Sequence, residues 1–114
     1  MAVDFYIKQG DTSPGLIAIL KDANGAAVDL SGVVAARFIM TNKSTNAKVV
    51  DTTATVIDAV NGKVRYDWTT GDTDTAATYK AEFEVHWGDG TYETFPNKVY
   101  INVKVVADLG GSVG

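Results

Sequence analysis

Apolar and polar residues alternate along much of this chain. From Tyr79 to Trp87, the apolar set Tyr79, Ala81, Phe83, Val85 and Trp87 is interleaved with Lys80, Glu82, Glu84 and His86. A strand sends the two sets to opposite faces, one to a core and one to water, whereas a helix would mix them. Val64, Tyr66 and Trp68 alternate with Arg65 and Asp67 in the same way, and Val99, Ile101, Val103 and Val105 form a third face opposed by Asn102 and Lys104. Val33 to Met40 carries Arg37 as its only charge, with Val34, Ala36, Phe38 and Met40 as the expected inward set. Leu16 to Leu20 is apolar throughout, which predicts a strand with little solvent on either face. Strands at Phe5–Lys8 and Thr53–Ile57, and a short one at Lys48–Val50, complete the reading.

Turn chemistry separates these runs. Asn24-Gly25, Asn61-Gly62 and Asp89-Gly90 each sit between strand-like segments, and such pairs accept the positive φ that tight reversals need. Asn61-Gly62 is expected to join Thr53–Ala59 to Lys63–Trp68, and Asp89-Gly90 to join Thr78–Trp87 to Thr91–Phe95. Leu30-Ser31-Gly32 reads as a brief turn, and no convincing helix appears. The fold class is therefore all-β, an antiparallel β-sandwich of about seven to eight strands. One domain is expected over residues 1–107, followed by a flexible Gly-rich tail over 108–114.

One local pattern makes the sandwich immunoglobulin-like. Ala77-Thr78-Tyr79-Lys80-Ala81 follows the acidic, Thr-rich loop Asp72–Thr75. It matches a tyrosine corner, in which a tyrosine hydroxyl bonds back to backbone a few residues upstream. An ordinary core tyrosine is the alternative.

Composition narrows the function classes. The chain has 114 residues, 46% of them hydrophobic and 21% charged, which is a globular profile with material for a real core. Its net charge of −4 gives no basic footprint for nucleic acid. With no cysteine, disulfides, thiolate metal sites and thiol catalysis are excluded. No apolar run approaches the ~20 residues of a membrane span, and Met1-Ala2-Val3-Asp4 lacks the regions of a signal peptide.

Candidate chemistry is thin. Glu82, Glu84 and His86 share one strand face, but neighbours at i, i+2 stand about 7 Å apart, too far to converge on an ion that needs ligands at about 2.0–2.2 Å. A solvated strand face beside Lys80 is the expected reading. Asp72 and Asp74 form an Asp-x-Asp pair without a closing glutamate, so self-satisfied turns are expected there rather than calcium. His86 is the only histidine, and Ser13, Ser31, Ser44 and Ser112 lack a nucleophile-elbow context. No catalytic residue, metal ligand or cofactor is assigned. Trp68 and Trp87 fall on inward faces, which leaves Tyr92 and Phe95 as the aromatics to check for a sugar platform.

An ordered set of segments carries a family resemblance. It runs through Tyr6-Ile-Lys-Gln-Gly-Asp-Thr-Ser-Pro14, Leu20-Lys-Asp-Ala-Asn-Gly25, Val28-Asp-Leu-Ser-Gly32, Val34–Met40 and Asn61-Gly62-Lys63-Val64-Arg65-Tyr66. It continues with Tyr79-Lys-Ala-Glu-Phe83, Asp89-Gly90, Thr94-Phe95-Pro96 and a last strand to Val105. Together these resemble the N-terminal domain of the phage baseplate upper protein (BppU) family, over Asp4 to about Val106. The resemblance implies an immunoglobulin-like domain that anchors to the tail baseplate, with a following region bearing the receptor-binding apparatus. A chain ending at Gly114 shows no helical linker or second domain for that apparatus, so an anchor or cover is expected here.

The expected function is thus a non-enzymatic virion structural protein that docks on other virion proteins (baseplate, tail or major capsid protein). It would be made in the host bacterial cytoplasm, be present in many copies per particle, and have no nucleic-acid or membrane partner. A capsid decoration protein on the phage head, or a carbohydrate- or cell-surface-binding module, are the alternatives. Sheet edges can add to a neighbour's sheet. The first expected contact is therefore Phe5–Gln9 with the turn Gly10–Pro14, namely Lys8, Gln9, Asp11 and Thr12, and the second is Lys48–Val50.

Overall fold

The clearest alternation in the chain becomes its central strand. In the computed structural model, which describes residues 3–96, 101–107 and Leu109, Tyr79, Ala81, Phe83 and Val85 are buried on one face of a strand spanning Ala77–Trp87. Numbered along the chain, the strands are β1 (Val3–Lys8), β2 (Leu16–Ile19), β3 (Val33–Asn42), β4 (Lys48–Asp58), β5 (Lys63–Tyr66), β6 (Ala77–Trp87), β7 (Tyr92–Phe95) and β8 (Ile101–Val106). The expected strand position Val99, the strand-adjacent Asn97–Tyr100, Ser112 and all of the 108–114 tail except Leu109 lie outside the described residues.

Hydrogen bonding orders the strands β1-β8-β6-β3-β4-β5-β2, with β7 also on β6. β6 pairs with β3 along nearly its full length. Its other edge is shared in tandem by β8, against Ala77–Ala81, and β7, against Phe83–His86. β4 passes from one layer to the other: Lys48–Ala54 pairs with β3, whereas Thr55–Asp58 pairs with β5. The sheet therefore curls into a sandwich that is nearly a barrel, all-β as the alternation predicts. The two expected strands at Lys48–Val50 and Thr53–Ile57 are one continuous strand.

The inner faces meet in a core rich in rings. Phe38 stacks on Tyr66, with centroids 4.4 Å apart, and meets the edge of Trp68 at 5.7 Å and Phe83 at 5.1 Å. Offset and edge-on ring contacts of this kind add about 0.5–1.5 kcal/mol per pair beyond area burial. Val64, Ile101, Val103 and Val105 are among the aliphatic residues that pack around these rings.

Three expectations fail for identifiable reasons. β1 runs parallel to β8, so the sandwich is mixed rather than purely antiparallel. Val34 points outward and is 72% exposed, because the pairing of β3 with β6 slips between Val33 and Ala35 and reverses the alternation at that end. Leu16–Leu20 does have a wet face: Ile17 and Ile19 are 55% and 47% exposed, because β2 ends the sheet and, among the described residues, no strand covers its outer side.

The turns form where the dipeptides lie. Gly25, Gly62 and Gly90 all have positive φ. Gly62 (φ +68°) is the most constrained: a β-carbon there would stand 2.7 Å from the Val28 carbonyl oxygen and 2.9 Å from that of Leu20. It joins β4 to β5 while letting the β2–β3 connection cross close by.

Candidate functional site

Among the described residues, the two ends of the strand path and one charged face offer surface for contact. The first edge is β1 with the turn that follows it. The Gln9 N–H continues the β1–β8 ladder by donating to the Val106 carbonyl oxygen at 2.8 Å. The turn is then fastened to the loop before β6. The Gln9 Nε2 donates to the Asp74 carbonyl oxygen at 2.7 Å, the Gly10 N–H to the Thr73 carbonyl oxygen at 3.0 Å, and the Thr73 hydroxyl to the Asp11 carbonyl oxygen at 2.7 Å. Thr73 is buried. Lys8, Asp11 and Thr12 are exposed, whereas Gln9 is half-buried by its bond to the loop. The structure thus brings the four sequence-derived contact residues onto one turn and gives Gln9 a structural duty. Sequence reasoning missed Thr73, whose only signal is a small hydroxyl residue between two aspartates.

The same loop contains the Asp-x-Asp pair. Asp72 accepts from the Tyr66 hydroxyl at 2.6 Å, the Thr69 N–H at 2.9 Å and the Thr69 hydroxyl at 3.2 Å. Those bonds engage the carboxylate in holding β5 to the loop. Burial, with the Asp72 hydrogen bond and charge added, pushes the Tyr66 hydroxyl well above its ordinary pKa. Three residues further on, the Tyr79 hydroxyl donates to the Thr75 carbonyl oxygen at 2.7 Å, the geometry of a tyrosine corner.

The outer face of β6 is more organised than a solvated strand face. Arg37 on β3 pairs with Asp51 on β4 and with Glu84 at 3.4 Å, and Lys48 reaches Asp51 at 2.9 Å. Hydrogen bonds from Lys48 and Arg37 hold the Asp51 carboxyl below its usual pKa. His86 Nε2 lies 2.9 Å from Glu84 Oε1, and its ring is stacked on Tyr92 with centroids 4.1 Å apart. Neighbouring strands lay Arg37 and Tyr92 over this row and leave Glu84 and His86 half-buried. Burial raises the Glu82 carboxyl, with Lys80 opposing and Glu84 reinforcing the shift. Among the described residues, no group of three or more His, Asp or Glu side chains is placed to hold a metal.

Aromatic exposure bears on sugar binding. Trp68 and Phe95 are buried, Trp87 is half-buried with its Nε1 3.2 Å from Glu93, and of these four positions only Tyr92 is exposed, at 66%. One ring already stacked on a histidine is not a row.

The second edge is β2, which sequence reasoning read as covered. Ile17 and Ile19 lie beside Arg65 and Lys63 of β5 on the outer face. Their signal was an unbroken apolar run ending in Lys21, a pattern shared by central strands.

Comparison with known proteins agrees with this fold. The crystal structure of CopC from Methylosinus trichosporium OB3b superposes with a TM-score of 0.51 at 16% identity, covering 94% of this chain and 86% of that one. At that identity the likeness concerns the fold alone. No curated protein matches the sequence. The family model for the BppU N-terminal domain matches residues 3–108, nearly the whole chain. A match of that extent settles membership: the chain belongs to the BppU N-terminal domain family, a structural domain of phage baseplates.

Proposed function

We infer that this domain is a non-enzymatic docking unit of the baseplate, binding other virion proteins through its exposed sheet edges. The observation that carries the reading is the family match over residues 3–108. The geometry supports it. Of the polar side chains that the sequence marks as candidate chemistry, Asp72 is engaged by Tyr66 and Thr69, and Glu84 and His86 by each other and by Arg37 and Tyr92. The turn carrying Lys8, Asp11 and Thr12 is exposed yet fastened at Gln9 and Gly10. A contact surface held in place in this way loses little entropy on binding. Lys8, Gln9, Asp11 and Thr12 are the proposed contact residues, with the baseplate as the site of assembly after synthesis in the host cytoplasm. Quantitative mass spectrometry of purified particles tests this: the protein is expected in fixed stoichiometry with the baseplate proteins, and its absence from particles would refute the reading.

A further inference from the structure

The strand path ends on two edges that nearly meet. β1 terminates one end and β2 the other. Between them lies a groove of about 610 Å³, lined by Asp4 and Phe5 on the β1 side, by Leu16–Leu20 on the β2 side, and by Phe95 and Ile101. Among the described residues the sheet is thus an almost closed barrel with an open seam.

Backbone polarity shows what the seam offers. The Leu20 N–H donates to the Gly62 carbonyl oxygen at 2.8 Å, toward β5. Backbone groups alternate sides along a strand, so those of Leu16 and Ala18 also face β5, and the N–H and C=O of Ile17 and Ile19 face the seam. Gln9 sets the opposite wall. Its N–H bonds toward β8, which turns the backbone groups of Asp4 and Tyr6 to the open side. Among the described residues, no hydrogen bond reaches Ile17 or Ile19 from the seam. Such an edge is a template for one more strand.

Side chains narrow the occupant. Ile17 and Ile19 are exposed beside the seam, and Phe5, Phe95 and Ile101 supply apolar surface along it. Lys21 and Lys63 also line it, and neither has an ion pair among the described residues. Asp4, also in the lining, is paired with Lys104 at 3.5 Å, so the two lysines make the seam locally positive on a chain of net charge −4. A second copy fits less well, since pairing β2 antiparallel with β2 would set the two Lys21/Lys63 pairs at opposite ends of the contact and give neither a carboxylate from Leu16–Ile19.

We propose that the seam receives an extended, mainly apolar strand from a neighbouring virion protein, with a carboxylate at the end that meets Lys21, and that this strand pairs with β2. The inference rests on the docking reading above and adds a contact separate from the Lys8–Thr12 turn.

Hydrogen exchange of the free protein and of intact particles tests it. The Ile17 and Ile19 amides, which face the seam, should exchange rapidly in the free protein and at least about tenfold more slowly in particles. Equal exchange in particles that do contain the protein would overturn the strand while leaving docking through the turn intact. Absence from particles would instead overturn the docking reading. A blocked peptide of alternating threonine and valine ending in two glutamates should shift the Ile17 and Ile19 amide resonances of the free protein, more weakly in K21E/K63E. An equal response to the counterpart ending in two lysines would overturn the charge assignment. Protection of the Ile17 and Ile19 amides that grows with concentration of the pure protein would give the seam to a second copy and refute the proposal.

Discussion

The hydroxyl of Tyr79 donates to the carbonyl oxygen of Thr75 at 2.7 Å, and that bond ties the acidic loop ahead of β6 to the strand at the centre of the sheet. The same loop holds the Gln9–Thr12 turn through three hydrogen bonds, made by the Gln9 side chain, the Gly10 N–H and the Thr73 hydroxyl, so the proposed contact surface is anchored to the core. Y79F keeps the ring and removes the donor. It should cost about 1 kcal/mol in urea unfolding and raise hydrogen exchange at Gly10, whose N–H bonds to the Thr73 carbonyl.

Alkaline pH probes the buried phenols. Burial raises the pKa of both Tyr66 and Tyr79 above the ordinary 10.0, and for Tyr66 the Asp72 hydrogen bond and charge add to the effect. The folded protein then holds these protons more tightly than the unfolded chain. Their stabilising contribution is complete below the ordinary pKa and is lost as pH rises above it, because the unfolded chain alone ionises there. Stability should fall above pH 10, and Y66F/Y79F should show a shallower fall in urea midpoints measured across that range.

At the β4–β5 reversal the controlling factor is backbone conformation. Gly62 combines a positive φ with two carbonyl oxygens inside the radius of any β-carbon. G62A should lose at least about 2 kcal/mol, from the left-handed penalty plus displacement of the crossing chain. Gly25 has a positive φ but open space around it, and G25A should lose only about 1 kcal/mol. Thermal or urea unfolding of the two variants separates strain from crowding.

Much of the fold was legible because half-buried strands write their faces into the sequence. Tyr79, Ala81, Phe83 and Val85 on β6, and Val64, Tyr66 and Trp68 before the acidic loop, are buried as their alternation requires. Tyr79 also makes the corner bond that its setting suggested. Val34 misled because a slip in strand pairing leaves no mark in hydrophobicity. Ile17 and Ile19 misled because an apolar run reads the same whether a strand is enclosed or stands at an edge. The parallel β1–β8 pairing was hidden for a similar reason: direction is a property of the chain path, not of side-chain pattern. Of the candidate surface, the turn was visible as a polar interruption, whereas its fastening to Thr73 and Asp74 depends on contacts more than sixty positions apart.

Charge changes on the turn should separate docking from folding. Lys8 and Asp11 are exposed, so K8E and D11K should each change stability by no more than about 0.5 kcal/mol while lowering incorporation into particles. Q9A removes the bond to the Asp74 carbonyl and should lower both stability and incorporation. Urea unfolding, paired with quantitative mass spectrometry of particles assembled with each variant, reads the two effects independently.

An electron-microscopy map of the intact particle would show whether the domain docks in the baseplate through this turn. Density for this β-sandwich domain is expected in the baseplate, with the Lys8–Thr12 turn against a neighbouring virion protein. A baseplate that lacks the domain, or that holds it with this turn facing solvent, would contradict that docking.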